Sequence, residues 1–146
     1  MNFKGRPTMK ALIAIDSSDF SEKILSEVCK TVWSSNVDFR IISVIDSAAD
    51  WEKCEQLAHQ AKLILNDRIE RIASKLAPRK VEGAVVIGTL PESIIEDAIE
   101  QKADLLIIGA HGETGCRRPE IGSLAAELVE RAPCTVQVIK VCKQTA

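Results

Sequence analysis

Gly109-Ala-His-Gly112, nine residues, then Gly122-Ser123 is a set of residue types that can hold a phosphate. Glycines let backbone N–H groups approach an anion closely, and a helix that starts just after them adds the positive end of its dipole. A second candidate is Asp16, whose carboxylate can accept hydrogen bonds from ribose hydroxyls, as acidic residues do in other nucleotide folds. Each group also has a plainer use. Asp16 caps a helix or closes a turn, Ser123 is an ordinary N-cap, Gly115 and Gly122 are turn glycines, and His111 is a solvent-facing loop residue. Arg117 and Arg118, inside the loop, either neutralise phosphates or are simply solvated.

The elements that must position these residues follow from the apolar pattern. Met9 to Ile15 reads as a first strand. Ser17-Ser18-Asp19 offers N-cap chemistry, and Phe20, Ile24, Val28 and Val32 recur at helical spacing, which predicts a helix over 19–33. Asn36-Val37-Asp38 is a turn, Phe39 to Ile45 a second strand, and 47–50 a loop of small and acidic residues. Trp51 to Leu76 carries Leu57, Ala61, Leu65, Ile69, Ile72 and Leu76 on one face of a long helix that Pro78 stops. Lys80 to Ile87 is a third strand. Gly88-Thr-Leu-Pro91 opens a helix to about Gln101, with Pro91 in its first turn. Asp104 to Ile108 is a fourth strand, and after the glycine loop Ser123 to Arg131 forms a helix. Pro133 breaks the chain, and Thr135 to Val141 is a fifth strand.

This alternation predicts an α/β fold: a single doubly wound five-stranded parallel sheet, order 3-2-1-4-5, with helices on both faces. One domain covers 1–146, with an ordered core over about 8–142 and short tails. In such sheets ligands bind outside the carboxyl ends of the strands, at the point where the strand order reverses. That point lies between the first and fourth strands, so Asp16 and the glycine loop face one crevice.

Composition excludes several classes of function. The chain has 146 residues, 46% apolar and 27% charged, with net charge −2 and no basic run, which argues against a nucleic-acid surface. Aromatic residues are few and include no Tyr, so no base-stacking platform is expected. Five cysteines without CxxC spacing and only two histidines, His59 and His111, argue against a zinc site and fit reduced thiols, several of them buried. No stretch reaches the ~18 apolar residues needed to span a bilayer, and the first ten residues contain no apolar signal core, so a cytoplasmic protein is expected. There is no GxxxxGK[ST], HExxH or GxSxG. The glycines are not spaced as GxGxxG and do not follow the first strand, so a dinucleotide-binding Rossmann site is excluded. Glu92, Glu96 and Asp97 have the spacing of a solvated helix face. No catalytic base and nucleophile, and no metal ligand set, can be assigned.

With those residues in view, the chain resembles the universal stress proteins. The family's nucleotide signature is G-x-x-G, nine residues, then G-[S/T], and Gly109 to Ser123 matches it without a gap. Ala14-Ile-Asp16-Ser-Ser, Ser43-Val-Ile-Asp46, Gly88-x-x-Pro91 and Arg131-Ala-Pro-Cys134-x-Val136-x-Val138 match other segments of the family. The resemblance implies an adenine-nucleotide (ATP, or ADP or AMP, with or without Mg2+) regulatory stress-response protein. Ala14, Ile15 and Asp16 would border adenine and ribose, with Asp16 on the ribose hydroxyls, and the Val44 backbone would meet the adenine edge. Gly109, His111 and Gly112 would pass beside the ribose and α-phosphate. Gly122, Ser123 and Leu124 would hold the phosphates through N–H groups and the Ser123 hydroxyl. Ala125 stands where some ATP-binding members carry a second hydroxyl. The resemblance also implies a homodimer that pairs Thr135 to Val141, an apolar edge strand in need of a partner. Two alternatives stay open: a nucleotide-free dimerisation or interaction module of the same fold, and a slow ATPase in which His111 or Glu113 positions water.

Overall fold

The computed structural model describes residues 8–48, 50–111 and 120–140. Gly112, Glu113, Gly115, Cys116, Arg117, Arg118, Val141 and Cys142 lie outside that set. Five apolar runs form strands: β1 Met9–Ile15, β2 Val37–Asp46, β3 Val81–Gly88, β4 Leu105–Gly109 and β5 Thr135–Ile139. Four amphipathic segments form α1 Asp19–Lys30, α2 Trp51–Leu76, α3 Glu92–Glu100 and α4 Ser123–Arg131. The strands make one sheet in the order β3-β2-β1-β4-β5, and every neighbouring pair is parallel. The expected α/β architecture and strand order are therefore the observed ones.

The sheet is central because its middle strands are apolar on both sides, as buried parallel strands must be. Ile13 and Ile107 point to the face covered by α1 and α2, where they pack with Ile24, Val28, Leu65 and Ile72. Leu12 and Leu106 point to the opposite face, covered by α3 and α4 through Ile94, Ala98 and Leu128. Cys54 is buried, while Cys29 and Cys134 are half-buried. Burial pushes both half-buried thiols up, which keeps them protonated and weakly nucleophilic. Among the described residues no helix is long and apolar enough to cross a membrane.

Four expectations need correction. The first helix ends at Lys30 rather than 33, and Val32 is 97% exposed. Competing local bonds end it: Thr31 turns its hydroxyl onto Glu27 O, and the Trp33 indole N–H donates to Val28 O. Trp33 then folds back edge-on against Phe39, at 5.2 Å between ring centroids. The second strand starts at Val37, not Phe39, because Val37 pairs with Met9. On α2, Leu57 is exposed, and the buried stripe instead includes Cys54 and the charged Arg68. Asp97 does not face solvent: it is 7% exposed and accepts two 2.9 Å bonds from the Arg40 guanidinium. That bidentate pair ties α3 to β2 toward the amino ends of the strands, with Glu82 3.5 Å from the same guanidinium.

Candidate functional site

At the carboxyl ends of β1 and β4, where the strand order reverses, the chain encloses a cavity of about 310 Å3. Ala14, Ile15, Asp16 and Val44 line it from the β1 and β2 side, and Gly109, His111, Gly122, Ser123 and Leu124 from the β4 and α4 side. Nine of the ten residues singled out from the sequence thus meet in one place, and the tenth, Gly112, lies outside the described residues. Sequence reading missed the apolar wall, made by Phe20 and Ile24 of α1, Leu90, and Ile94 of α3.

The β1–α1 turn is built around the Asp16 carboxylate. Its Oδ1 accepts from the Ser18 N–H at 2.8 Å, from the Ser18 hydroxyl, and from the Ser21 hydroxyl at 2.8 Å. The Ser21 oxygen in turn accepts from the Asp16 N–H at 3.0 Å. Ser18 is the N-cap of α1, yet its hydroxyl is turned to Asp16 and caps nothing. Asp16 therefore does close a turn, the plainer use open to it, but only one of its two oxygens is engaged in these bonds. Burial pushes its carboxyl up. The hydrogen bonds from Ser18 and Ser21 and the charge of Arg68 outweigh that and hold it below its ordinary 3.8.

Arg68 reaches this turn from α2. It is 5% exposed and donates to three successive carbonyls: Asp16 O at 2.8 Å, Ser17 O at 3.3 Å and Ser18 O at 2.8 Å. The one available signal for it was a basic residue three positions after Leu65 and four before Ile72, inside an apolar stripe.

The β4–α4 bank is held by backbone. Ala110 N–H donates to Ile139 O at 2.9 Å, and Gly122 N–H to Ala110 O at 2.7 Å. The His111 ring bonds Glu120 O through Nε2. Gly122, not Ser123, is the N-cap of α4, and no side chain caps this helix. Its own N–H is engaged by Ala110, so Ser123, Leu124 and Ala125 hold the first N–H groups of the helix, which lack intrahelical partners. All three residues line the cavity. A Cβ at Gly122 would stand 3.2 Å from Ala110 O, and one at Gly109 would stand 2.7 Å from Ile24 Cδ1. Both glycines therefore allow close approach, Gly122 to the Ala110 carbonyl and Gly109 to the Ile24 side chain.

A doubly wound sheet with a cavity at its switch point, a carboxylate on one bank and an uncapped helix start on the other is the arrangement in which open α/β domains hold small ligands. The chain belongs to the universal stress protein family, whose model matches residues 8–140. It is 30% identical over 138 residues to a universal stress protein of Staphylococcus aureus (strain USA300), covering 88% of this chain and 82% of that one. A universal stress protein from Lactobacillus plantarum superposes with a TM-score of 0.78 at 24% identity, over 92% of this chain and 99% of that one. A universal stress protein solved in complex with cAMP gives a TM-score of 0.67 at 22% identity, over 90% of this chain and 96% of that one. One from Arabidopsis thaliana with AMP bound gives 0.64 at 17%, over 90% and 91%. At these identities the solved structures establish the shared fold.

Proposed function

We propose that the crevice binds an adenine nucleotide and that the chain acts as a regulatory stress-response protein. The observation that carries this reading is the pairing, across one cavity of about 310 Å3, of the Asp16 carboxylate with the uncapped start of α4. The free oxygen of Asp16 accepts from ribose hydroxyls. Ala14, Ile15 and Val44 border the base, with the Val44 backbone at the adenine edge. Gly109 and His111 pass beside the ribose and the α-phosphate. The N–H groups of Ser123 and Leu124, with the Ser123 hydroxyl, hold phosphate at the positive end of the helix dipole. Gly122 contributes close approach to Ala110 rather than a donor, because its N–H is already engaged. Complexes of related folds with cAMP and AMP support the ligand class.

Among the described residues no group of three or more His, Cys, Asp or Glu side chains could hold a metal. Where the ligand is ATP, Mg2+ arrives on its phosphates. The reading assigns no catalytic role, and at most slow hydrolysis, to this site. It places the protein in the cytoplasm as a homodimer paired through 135–141.

Acid extraction of the purified protein and chromatography of the supernatant is expected to release an adenine nucleotide. Saturating Mg-ATP is expected to raise the melting temperature, with about 2.7 kcal/mol of stabilisation at a hundred times Kd. No nucleotide in the extract together with no thermal shift overturns the proposal.

A further inference from the structure

We infer that Arg68 is a positioning residue for ligand recognition: its guanidinium fixes the β1–α1 turn so that the free oxygen of Asp16 faces the ribose subsite. The inference rests on the adenine-nucleotide reading of the crevice and adds a residue that does not line the cavity. Three observations carry it. The guanidinium bonds the carbonyls of residues 16, 17 and 18, which lie 52, 51 and 50 positions back along the chain. These residues include Asp16 itself and Ser18, whose N–H and hydroxyl hold Asp16 Oδ1. The side chain is 5% exposed, and among the described residues its buried Nε–H has no partner.

A guanidinium buried with one N–H unpartnered is a costly way to hold a turn if stability is the only gain. Its geometry suits a different purpose. The planar fork fixes three carbonyls in one orientation, which a point charge such as Lys cannot reproduce. Fixing these carbonyls fixes the φ and ψ of the residues that carry Asp16. Its positive charge also stands close enough to favour the ionised form of that carboxylate. Arg68 thus acts on a ligand through Asp16 and touches no ligand atom.

The test compares AMP with 2′,3′-dideoxy-AMP by isothermal titration on the wild-type chain, Arg68→Met and Arg68→Lys. In the wild type, loss of both ribose hydroxyls is expected to weaken binding about tenfold, the scale of a hydrogen bond to a charged acceptor. In Arg68→Met the AMP affinity is expected to fall about tenfold and the dideoxy affinity by less than about twofold, so that discrimination disappears. Arg68→Lys is expected to fall between the two, and it serves alone if the Met variant does not fold. Equal weakening of both nucleotides, or unchanged discrimination, overturns the inference and leaves the nucleotide reading intact. A wild-type chain that binds neither nucleotide overturns the nucleotide reading and the inference with it. One that binds both equally overturns the inference, because Asp16 then does not meet the ribose.

Discussion

The two banks of the crevice are built by opposite means. The β1–α1 bank is a network of side chains, in which Ser18 and Ser21 converge on Asp16 and Arg68 clamps the three carbonyls beneath. The β4–α4 bank rests on backbone bonded to backbone, with the His111 ring bonded to Glu120 O as its side-chain contribution and Gly109 and Gly122 keeping it close. A bank made of side chains fails when atoms are removed, whereas a bank made of glycine fails when atoms are added. The first offers a ligand one oriented carboxylate, the second a dipole and an array of N–H groups that only a proline could delete.

That contrast can be broken in graded steps. Arg68→Ala is expected to cost about 3 kcal/mol of stability, because three carbonyls lose a charged donor and a buried stem leaves a void; urea denaturation measures it. Gly122→Val is expected to abolish detectable nucleotide binding by titration, since a branched side chain presses on the Ala110 carbonyl that accepts the Gly122 N–H and so displaces the start of α4. Its stability cost is smaller, about 1 kcal/mol. Asp16→Ala is expected to weaken AMP about tenfold while leaving dideoxy-AMP nearly unchanged. Ser123→Ala is expected to produce the smallest effect, under about fivefold, because the backbone donors of α4 remain.

The comparison also has a pH signature. The folded Asp16 carboxyl lies below its ordinary 3.8. Its contribution to stability is therefore present above 3.8 and is lost as pH falls through the lower folded value. The stability gap between wild type and Asp16→Ala is expected to be constant near neutrality and to shrink only as the pH falls below 3.8. A gap that instead widens on acidification would show that the turn does not favour the ionised carboxylate.

The two banks differed in how much of them the sequence disclosed. Glycine spacing and the strand before it are local, so Gly109 and Gly122-Ser123 could be read directly, and strand order then set Asp16 opposite them. The support beneath Asp16 could not be read. Arg68 acts on carbonyls about fifty positions away, and no local pattern marks which charged residue in an apolar stripe will be buried. The spacing of Asp97 predicts a solvated face for the same reason, since its partner Arg40 is 57 positions distant. Apolar spacing through Val32 predicts a helix over 19–33, longer than the observed Asp19–Lys30. The bonds of Thr31 and Trp33 to the last turn outweighed that pattern. Periodicity reports which face is apolar; it does not report where side chains compete with the backbone ladder.

The Arg40–Asp97 pair has a mechanical consequence for the crevice. Ile94, which lines the cavity, lies three residues before Asp97 on α3, and Leu90 lies just ahead of the helix. The wall they form is a beam on two supports: two 2.9 Å bonds fix Asp97 to the sheet, and Glu92, at the Leu90 end, stands 3.5 Å from Arg131 of α4. Held at both ends, and with Ile94 packed into the core between them, α3 sets the width of the cavity before anything enters it.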